Sequence, residues 1–353
     1  MESISNTPLT QDEAIALITD PESPLHVSHA EIRGIEYKVF THAPNDLRDF
    51  FRFSNEHFSD REFLIFREER STYGEIHRKS VALAHSLIQI GIKPGDRVAI
   101  SMRNYPEYVV AFEAIIAVGA VAVTLNAWWI AEENEYGLKD SGARFAFVDF
   151  ERWDRFESSK DILDLGAAIT RANGAIPTGV FDMADMMESS AETSFPDVAI
   201  DTDSDAIIMY TSGSTNRPKG VVLTHRSIIS ALLNFHCIGI IGALTGDVEG
   251  VRSIVRNWIS GGANSFNLPL FYEMPAEKFL VNVPLFHVSG LHTMLLLSYR
   301  SGRNLYLMYK WNAEEALDLT EKEGLATIQG VPTCLLYTSD AADEGLGVDL
   351  GGR

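Results

Sequence analysis

The sequence predicts an α/β fold of mostly parallel sheets flanked by helices, and three observations carry that expectation. Short apolar, β-branched runs alternate with helical patterns from Thr72 to Asp149, and again from Phe279 to Gln329. That alternation marks βαβ units, whose helices cover both faces of a parallel sheet. The runs themselves, such as Val98–Met102 and Ala120–Leu125, are nearly continuous in apolar residues, as burial on both faces requires. Glycines stop the helical patterns at Gly91 and Gly119, where a left-handed residue closes a helix at no steric cost.

From Met1 to about Leu47 the chain is polar and irregular, with one short strand expected at Ile35–Phe40. Thr72 and Glu75 have capping-box spacing, so a helix starts there, with Ile76, Leu83, Leu87 and Ile90 on one face. The strand Val98–Met102 follows. Ala114–Ile130 is nearly uncharged and approaches the about 20 residues that cross a bilayer. Its punctuation instead gives a buried helix, Pro106–Val118, a stop at Gly119 and a core strand, Ala120–Leu125. Glu132–Asp140 reads as a helix and Arg144–Asp149 as a strand. Residues 183–205 are acidic and weakly patterned, as in a surface connection. A helix is expected over Ser227–Ile240, and 241–278 shows no period. The second alternation runs strand Phe279–Val283, helix about Leu291–Tyr299, strand Asn304–Met308, helix Asn312–Glu323 and strand Ala326–Gln329. No internal repeat is visible.

With 353 residues the chain can bury a large core, and length alone suggests two or three domains. A net charge of −20 argues against general nucleic-acid binding and against adsorption to anionic lipid, both of which need a basic face. Cys237 and Cys334 are the two cysteines, so no disulfide framework is implied and a reducing cytoplasm fits. The acidic start, MESISNTPLTQDEAIALI, is no signal peptide.

Function is concentrated in residues 206–225, AIIMYTSGSTNRPKGVVLTH. An apolar run ends at Tyr210, a glycine- and hydroxyl-rich loop follows, and Val221–Thr224 leaves it as a second strand. Small residues let successive N–H groups converge into an anion-binding nest. Hydroxyls and the mobile charge of Lys219 add to it, so the expected cargo is a polyphosphate. An ordinary turn is the plain alternative. Gly213 and Lys219 are also spaced as in a Walker loop, but Gly220 stands where that motif needs Ser or Thr, and a strand follows where it needs a helix.

Tyr210–His225, YTSGSTNRPKGVVLTH, closely resembles the signature YTSGSTGxPKGVxLTH of the adenylate-forming superfamily. That superfamily comprises acyl-CoA synthetases, luciferases and the adenylation domains of peptide synthetases. Asn216 replaces a glycine, and asparagine best tolerates the left-handed backbone. TYGEI (72–76), PGDRVAI (94–100), GAVAVTLN (119–126), LKDSGARFAFVD (138–149), PLFHVSG (284–290) and GVPT (330–333) resemble the family's other landmarks, in order. The likeness runs from about Asn45 to Leu336, and PLFHVSG favours the acyl-CoA synthetase branch.

The resemblance implies activation of a carboxylic acid, expected to be a fatty acid, to acyl-AMP by ATP, then transfer to CoA. Thr211, Ser212, Gly213, Ser214, Thr215 and Lys219 would bind the nucleotide phosphates, with Thr215 also at the magnesium ion (Mg2+). His287 would be catalytic and would orient the carboxylate, beside Gln329 and Gly330 at the acyl pocket. A lone histidine between a strand and an apolar helix is otherwise a core group, and both readings of His287 stand. His225 is expected to fix the turn into its helix, and His292 to line the same pocket or simply pack. The run Met294–Leu297 reads as tunnel lining or plain core, and Trp128 and Trp129 as packing residues. Alternatives are adenylation of an aryl or amino acid without CoA, or a non-catalytic nucleotide- or acyl-binding fragment. Partners are the small molecules ATP, CoA and a carboxylate, with membrane contact only peripheral, through a lipid substrate.

The family continues with a magnesium-binding acid in a YGxTE segment, a ribose-binding aspartate, and a mobile C-terminal domain carrying the adenylation lysine. None of these is present here. The expectation is an incomplete N-terminal AMP-binding domain over 1–338, inactive by itself and lacking the C-terminal domain. A non-native-looking, disordered tail, 339–353, is expected to follow.

Overall fold

Residues 8–211, 217–246, 251–260 and 276–328 are described by a computed structural model of the chain. Among them, fourteen strands form a two-stranded hairpin, a seven-stranded sheet and a five-stranded sheet.

The polar N-terminal stretch is more regular than its composition suggests. Helix α1 (Gln11–Ile18) opens on a reciprocal capping box between Thr10 and Glu13, the same spacing recognised at Thr72 and Glu75. Strands β1 (Val27–Ile32) and β2 (Ile35–Phe40) form an antiparallel hairpin. Its turn residues Arg33 and Gly34 lie at φ 51° and 79°, the left-handed pair that a tight hairpin needs. Helix α2 (Arg48–Phe58), β3 (Glu62–Phe66) and β4 (Glu69–Thr72) lead into α3 (Tyr73–Gln89).

The expected alternation follows closely: β5 (Arg97–Ser101), α4 (Pro106–Ala117), β6 (Val121–Thr124), α5 (Ala131–Ser141) and β7 (Ala143–Asp149). Next come α6 (Phe150–Phe156), β8 (Ala167–Thr170), β9 (Phe181–Asp182) and α7 (Met183–Glu188). Helix α7 corrects the reading of 183–205 as mere connection: Asp182 caps it and it buries Met183 and Met186. Two methionines among acids leave too short a pattern to stand out. Strands β10 (Asp205–Thr211) and β11 (Lys219–Thr224) precede α8 (His225–Thr245). A further helix, α9 (Val251–Ser260), lies in the stretch that showed no period, and it buries Val255, Trp258 and Ile259. Strand β12 (Lys278–Val281) then leads to a π-helical segment, Ser289–Leu296, which continues as α10 (Leu297–Ser301). The helix expected over Leu291–Tyr299 therefore starts earlier and winds wider. Strand β13 (Asn304–Leu307), α11 (Ala313–Glu323, capped by Asn312) and β14 (Thr327–Ile328) complete the described chain.

The larger sheet has the order β11-β10-β6-β5-β7-β8-β9. All its pairings are parallel except β10 with β11. The chain lays β6 on one side of β5 and returns to lay β7 on the other, so strand order reverses at β5. Ligands of open parallel sheets bind outside the carboxyl ends of the strands at such a switch point. The smaller sheet, β14-β12-β13-β3-β4, is parallel apart from the β3–β4 hairpin.

One core cluster joins the two sheets: Val98 and Ile100 share it with Phe63, Val281 and Leu305. Helix α4 runs through it with every residue from Tyr108 to Ala117 buried, so it needs apolar groups on all sides rather than one stripe. The stretch Ala114–Ile130 is thus helix, glycine stop (Gly119, φ 72°) and core strand. Among the described residues α8 is the helix long and apolar enough, by length and composition, to cross a membrane.

Four histidines are kept uncharged by desolvation, His236 lowest, at about 3. Burial holds His77, His225 and His292 each to about 4, from an ordinary value of 6.5. An unfolded imidazole takes a proton near 6.5 and the folded one only near 4. Stability is therefore full above pH 6.5 and declines as pH falls from 6.5 towards 4. Urea unfolding across that interval is expected to show this loss, and His225→Gln to make it shallower. An unchanged slope in the variant would show that His225 is not one of the groups responsible.

Candidate functional site

Strand β10 is apolar because it is buried from Ala206 to Tyr210, and it surfaces at Thr211. Strand β11 returns antiparallel beside it, with Lys219 paired across from Thr211. Lys219 opens a strand and not a helix, so the Walker arrangement is excluded. Thr211 and Lys219 stand exposed at the neck of this hairpin; Ser212, Gly213, Ser214 and Thr215 lie outside the described residues.

Helix α5 holds the neck. The Tyr136 hydroxyl donates to the Pro218 carbonyl at 3.0 Å, and the Arg217 guanidinium lies 5.3 Å from the Tyr136 ring centroid. The Tyr210 hydroxyl donates to Asp140 Oδ2 at 2.8 Å, while its ring packs on Trp129 at 5.2 Å. Trp129 is a core residue. Lys219 makes no ion pair among the described residues, although the chain carries a net charge of −20. Its charge is left for solvent or ligand.

His287 sits after β12, on the bend that starts the π-helical segment. Its carbonyl accepts the first helical hydrogen bond, from Leu291 N–H at 2.9 Å. Among the described residues it is exposed, with its ring 4.6 Å from that of Phe286. Partial desolvation holds its pKa below the ordinary imidazole value, so the neutral form prevails at neutral pH.

The larger sheet builds the seat for this bend. Asn104, just past β5, is buried, and its amide N–H groups point at the carbonyls of Val281, Val283 and Met308 at 3.3, 3.0 and 3.3 Å. Its oxygen accepts from Leu285 N–H at 2.9 Å. The Tyr108 hydroxyl donates to Leu285 O at 3.2 Å. The Thr124 hydroxyl, at the end of β6, lies 3.4 Å from both Phe286 O and Ile208 O. It therefore ties the 284–287 segment to the strand that feeds the hydroxyl-rich loop. Gly290 closes the bend, because a Cβ there would collide with the Pro284 carbonyl.

The remaining sequence candidates separate. His225 starts α8 fully buried, with Nδ1 accepting from Leu47 N–H at 3.3 Å. His292 is also buried, with Nδ1 unpartnered. Met294, Leu295 and Leu296 belong to the main core cluster. Gln329 and Gly330 lie outside the described residues, as does the segment 339–353. Among the described residues no cluster of three or more His, Cys, Asp or Glu could hold a metal, and Thr215 is not described. Sequence reasoning missed Asn104, Tyr136 and the pairing of Arg103 with Trp128. Trp128 is 48% exposed, unlike its neighbour, and it meets Phe286 edge-on at 5.1 Å.

The family model that matches is that of the AMP-binding enzymes, over residues 51–346. The chain is 28% identical over 266 residues to 4-coumarate–CoA ligase 3 of Arabidopsis thaliana, covering 75% of this chain and 42% of that protein. To feruloyl-CoA synthase of an Amycolatopsis species it is 29% identical over 271 residues, covering 77% and 45%. The chain thus spans about half the length of the curated relatives it matches. Among solved structures, the inhibitor-bound N-terminal domain of FACL13 from Mycobacterium tuberculosis superposes with TM-score 0.65 at 25% identity, covering 86% of this chain and 67% of that one. A putative long-chain-fatty-acid CoA ligase from Rhodopseudomonas palustris gives TM-score 0.65 at 21% identity, covering 84% and 65%.

The Asn104 seat is open to test. Asn104→Ala strips the Val283 and Met308 carbonyls and the Leu285 N–H of this partner, while Val281 O keeps the Met308 N–H, with an expected loss of about 3 kcal/mol or more in urea unfolding. A loss below about 1 kcal/mol, the net value of one ordinary hydrogen bond, would mean that solvent replaces the amide and the seat does not depend on it.

Proposed function

Because the chain belongs to the AMP-binding enzyme family, we propose that the whole protein is an acid–thiol ligase. A carboxylate oxygen attacks the α-phosphorus of ATP, the bond to the bridging oxygen breaks, and pyrophosphate leaves with that electron pair. The sulfur of CoA then attacks the acyl carbon of acyl-AMP, and AMP leaves.

The observation that carries this reading is the Thr124 bridge, which sets the His287 bend beside the strand that ends in the hydroxyl-rich loop. In this proposal Thr211 to Thr215 and Lys219 hold the β- and γ-phosphates. His287, neutral and exposed, donates a hydrogen bond to the oxygen on which negative charge gathers. Gln329 and Gly330 border the acyl group. Magnesium would arrive on the nucleotide, since this ion keeps waters and phosphate oxygens as ligands. The chain's own groups position and neutralise, and need do no covalent chemistry.

The acid is taken to be a fatty acid and the compartment the cytoplasm. A second reading, an aryl acid, is favoured by the names of the curated relatives, which include 4-coumarate and feruloyl ligases.

ATP–pyrophosphate exchange with a panel of fatty, hydroxycinnamic and amino acids tests the proposal. Exchange driven best by a fatty acid is expected. A preference for 4-coumarate moves the assignment to the aryl reading, and exchange with none of them overturns it. In the active protein, His287→Ala is expected to lower kcat by roughly a hundredfold. Lys219→Ala is expected to raise KM for ATP by roughly tenfold.

A further inference from the structure

The buried and half-buried guanidinium groups around the larger sheet are answered by carboxylates in several places: Arg48 by Asp46, Arg152 by Asp149, Arg171 by Glu69 and Glu107, and Arg226 by Asp203. Arg103 is not. Its Nε is buried with no hydrogen-bond partner, and no carboxylate among the described residues comes within ion-pair distance. Its guanidinium carbon instead lies 4.8 Å from the Trp128 ring centroid and 5.3 Å from that of Tyr309. Asp149, the acid nearest in the fold, is already committed. It takes Arg152 at 2.8 Å and the backbone N–H of Arg103 at 2.9 Å. Arg152 adds a repelling charge close by, set against the attraction of Asp149 and a hydrogen bond to Tyr309, and no carboxylate among the described residues pairs with the fork itself.

Its place in the fold is as telling. Arg103 follows β5, the strand at which the sheet order reverses, so it stands at the crevice where such sheets take ligands. Trp128, half-exposed, continues from Arg103 to Phe286, the neighbour of His287.

We propose that Arg103, packed against Trp128 and Tyr309, is an anion-binding residue of this crevice, and that its ligand is the carboxylate or phosphate group of a bound small molecule. The planar fork of a guanidinium matches two oxygens of either group. Aromatic contacts fix its plane in advance, so little rotamer freedom is lost on binding. The proposal rests on the ligase reading only for the ligand's identity, because that reading supplies both a carboxylate and a nucleotide phosphate.

The indole beside the guanidinium is the reporter. The full chain is titrated with benzoate and its uncharged counterpart benzamide, and with AMP and its uncharged counterpart adenosine, following Trp emission against a Trp128→Phe control. The expected result is a Trp128-dependent change with the charged member of at least one pair. Arg103→Gln should weaken that binding by roughly tenfold or more, with Arg103→Lys intermediate. A response to benzoate alone assigns the carboxylate, and a response to AMP alone assigns the phosphate. Equal binding by Arg103→Gln and wild type, equal binding of charged and uncharged members, or no response to any of the four overturns the proposal. The charged–uncharged comparison on the wild type needs no variant, so it decides even if Arg103→Gln does not fold. Anion binding without pyrophosphate exchange would overturn the ligase reading and leave Arg103 assigned.

Discussion

The rest of the site depends on one buried amide. Asn104 projects from the end of β5 and reaches the carbonyls of Val281, Val283 and Met308, while it accepts from Leu285 N–H. Those carbonyls belong to the exits of β12 and β13, in the other sheet. Strand ends leave backbone groups that no ladder satisfies, and burying them costs free energy unless something pairs them. A single primary amide from the larger sheet does so for two strand exits of the smaller one. It thereby fixes where the chain turns from Pro284 to His287.

Geometry then follows from rigid supports. Thr124 and Tyr108 brace the same bend from β6 and α4, and Gly290 lets the π-helical turn fold back on Pro284. The hairpin neck is held separately against α5, by Tyr136 reaching from the helix to Pro218 and by Tyr210 reaching from β10 to Asp140. The hairpin neck and the 284–287 bend are each tied to the carboxyl edge of the larger sheet. Lys219 and Arg103, neither of them in an ion pair among the described residues, both lie along that edge, in a chain whose net charge of −20 would otherwise repel anions.

Much of this was legible locally. The capping box at Thr72, the helix–glycine–strand reading of 106–125 and the two strands flanking the hydroxyl-rich segment each rest on neighbours within a few residues, and each stands in the structure. The capping box at Thr10 carried the same information and was passed over, because the surrounding composition is polar. Helices α7 and α9 were missed because their buried residues are few and interrupted by acids or by long aperiodic sequence. The π-helical winding of 289–296 has no local signature: a glycine in an apolar run fits an α-helix equally well.

Sequence alone determined the fold class and the alternation of elements over 72–149, because periodicity and caps act over a few residues. Only the tertiary structure decided the strand order, and with it the switch point at β5. It alone showed that Asn104 meets carbonyls 177 to 204 residues away, and that among the described residues His287 is exposed and Arg103 has no ion-pair acid. Backbone carbonyls carry no residue identity, and an ion pair that is not made leaves no trace in sequence. Both become visible only when segments far apart in the chain are brought to the same edge of a sheet.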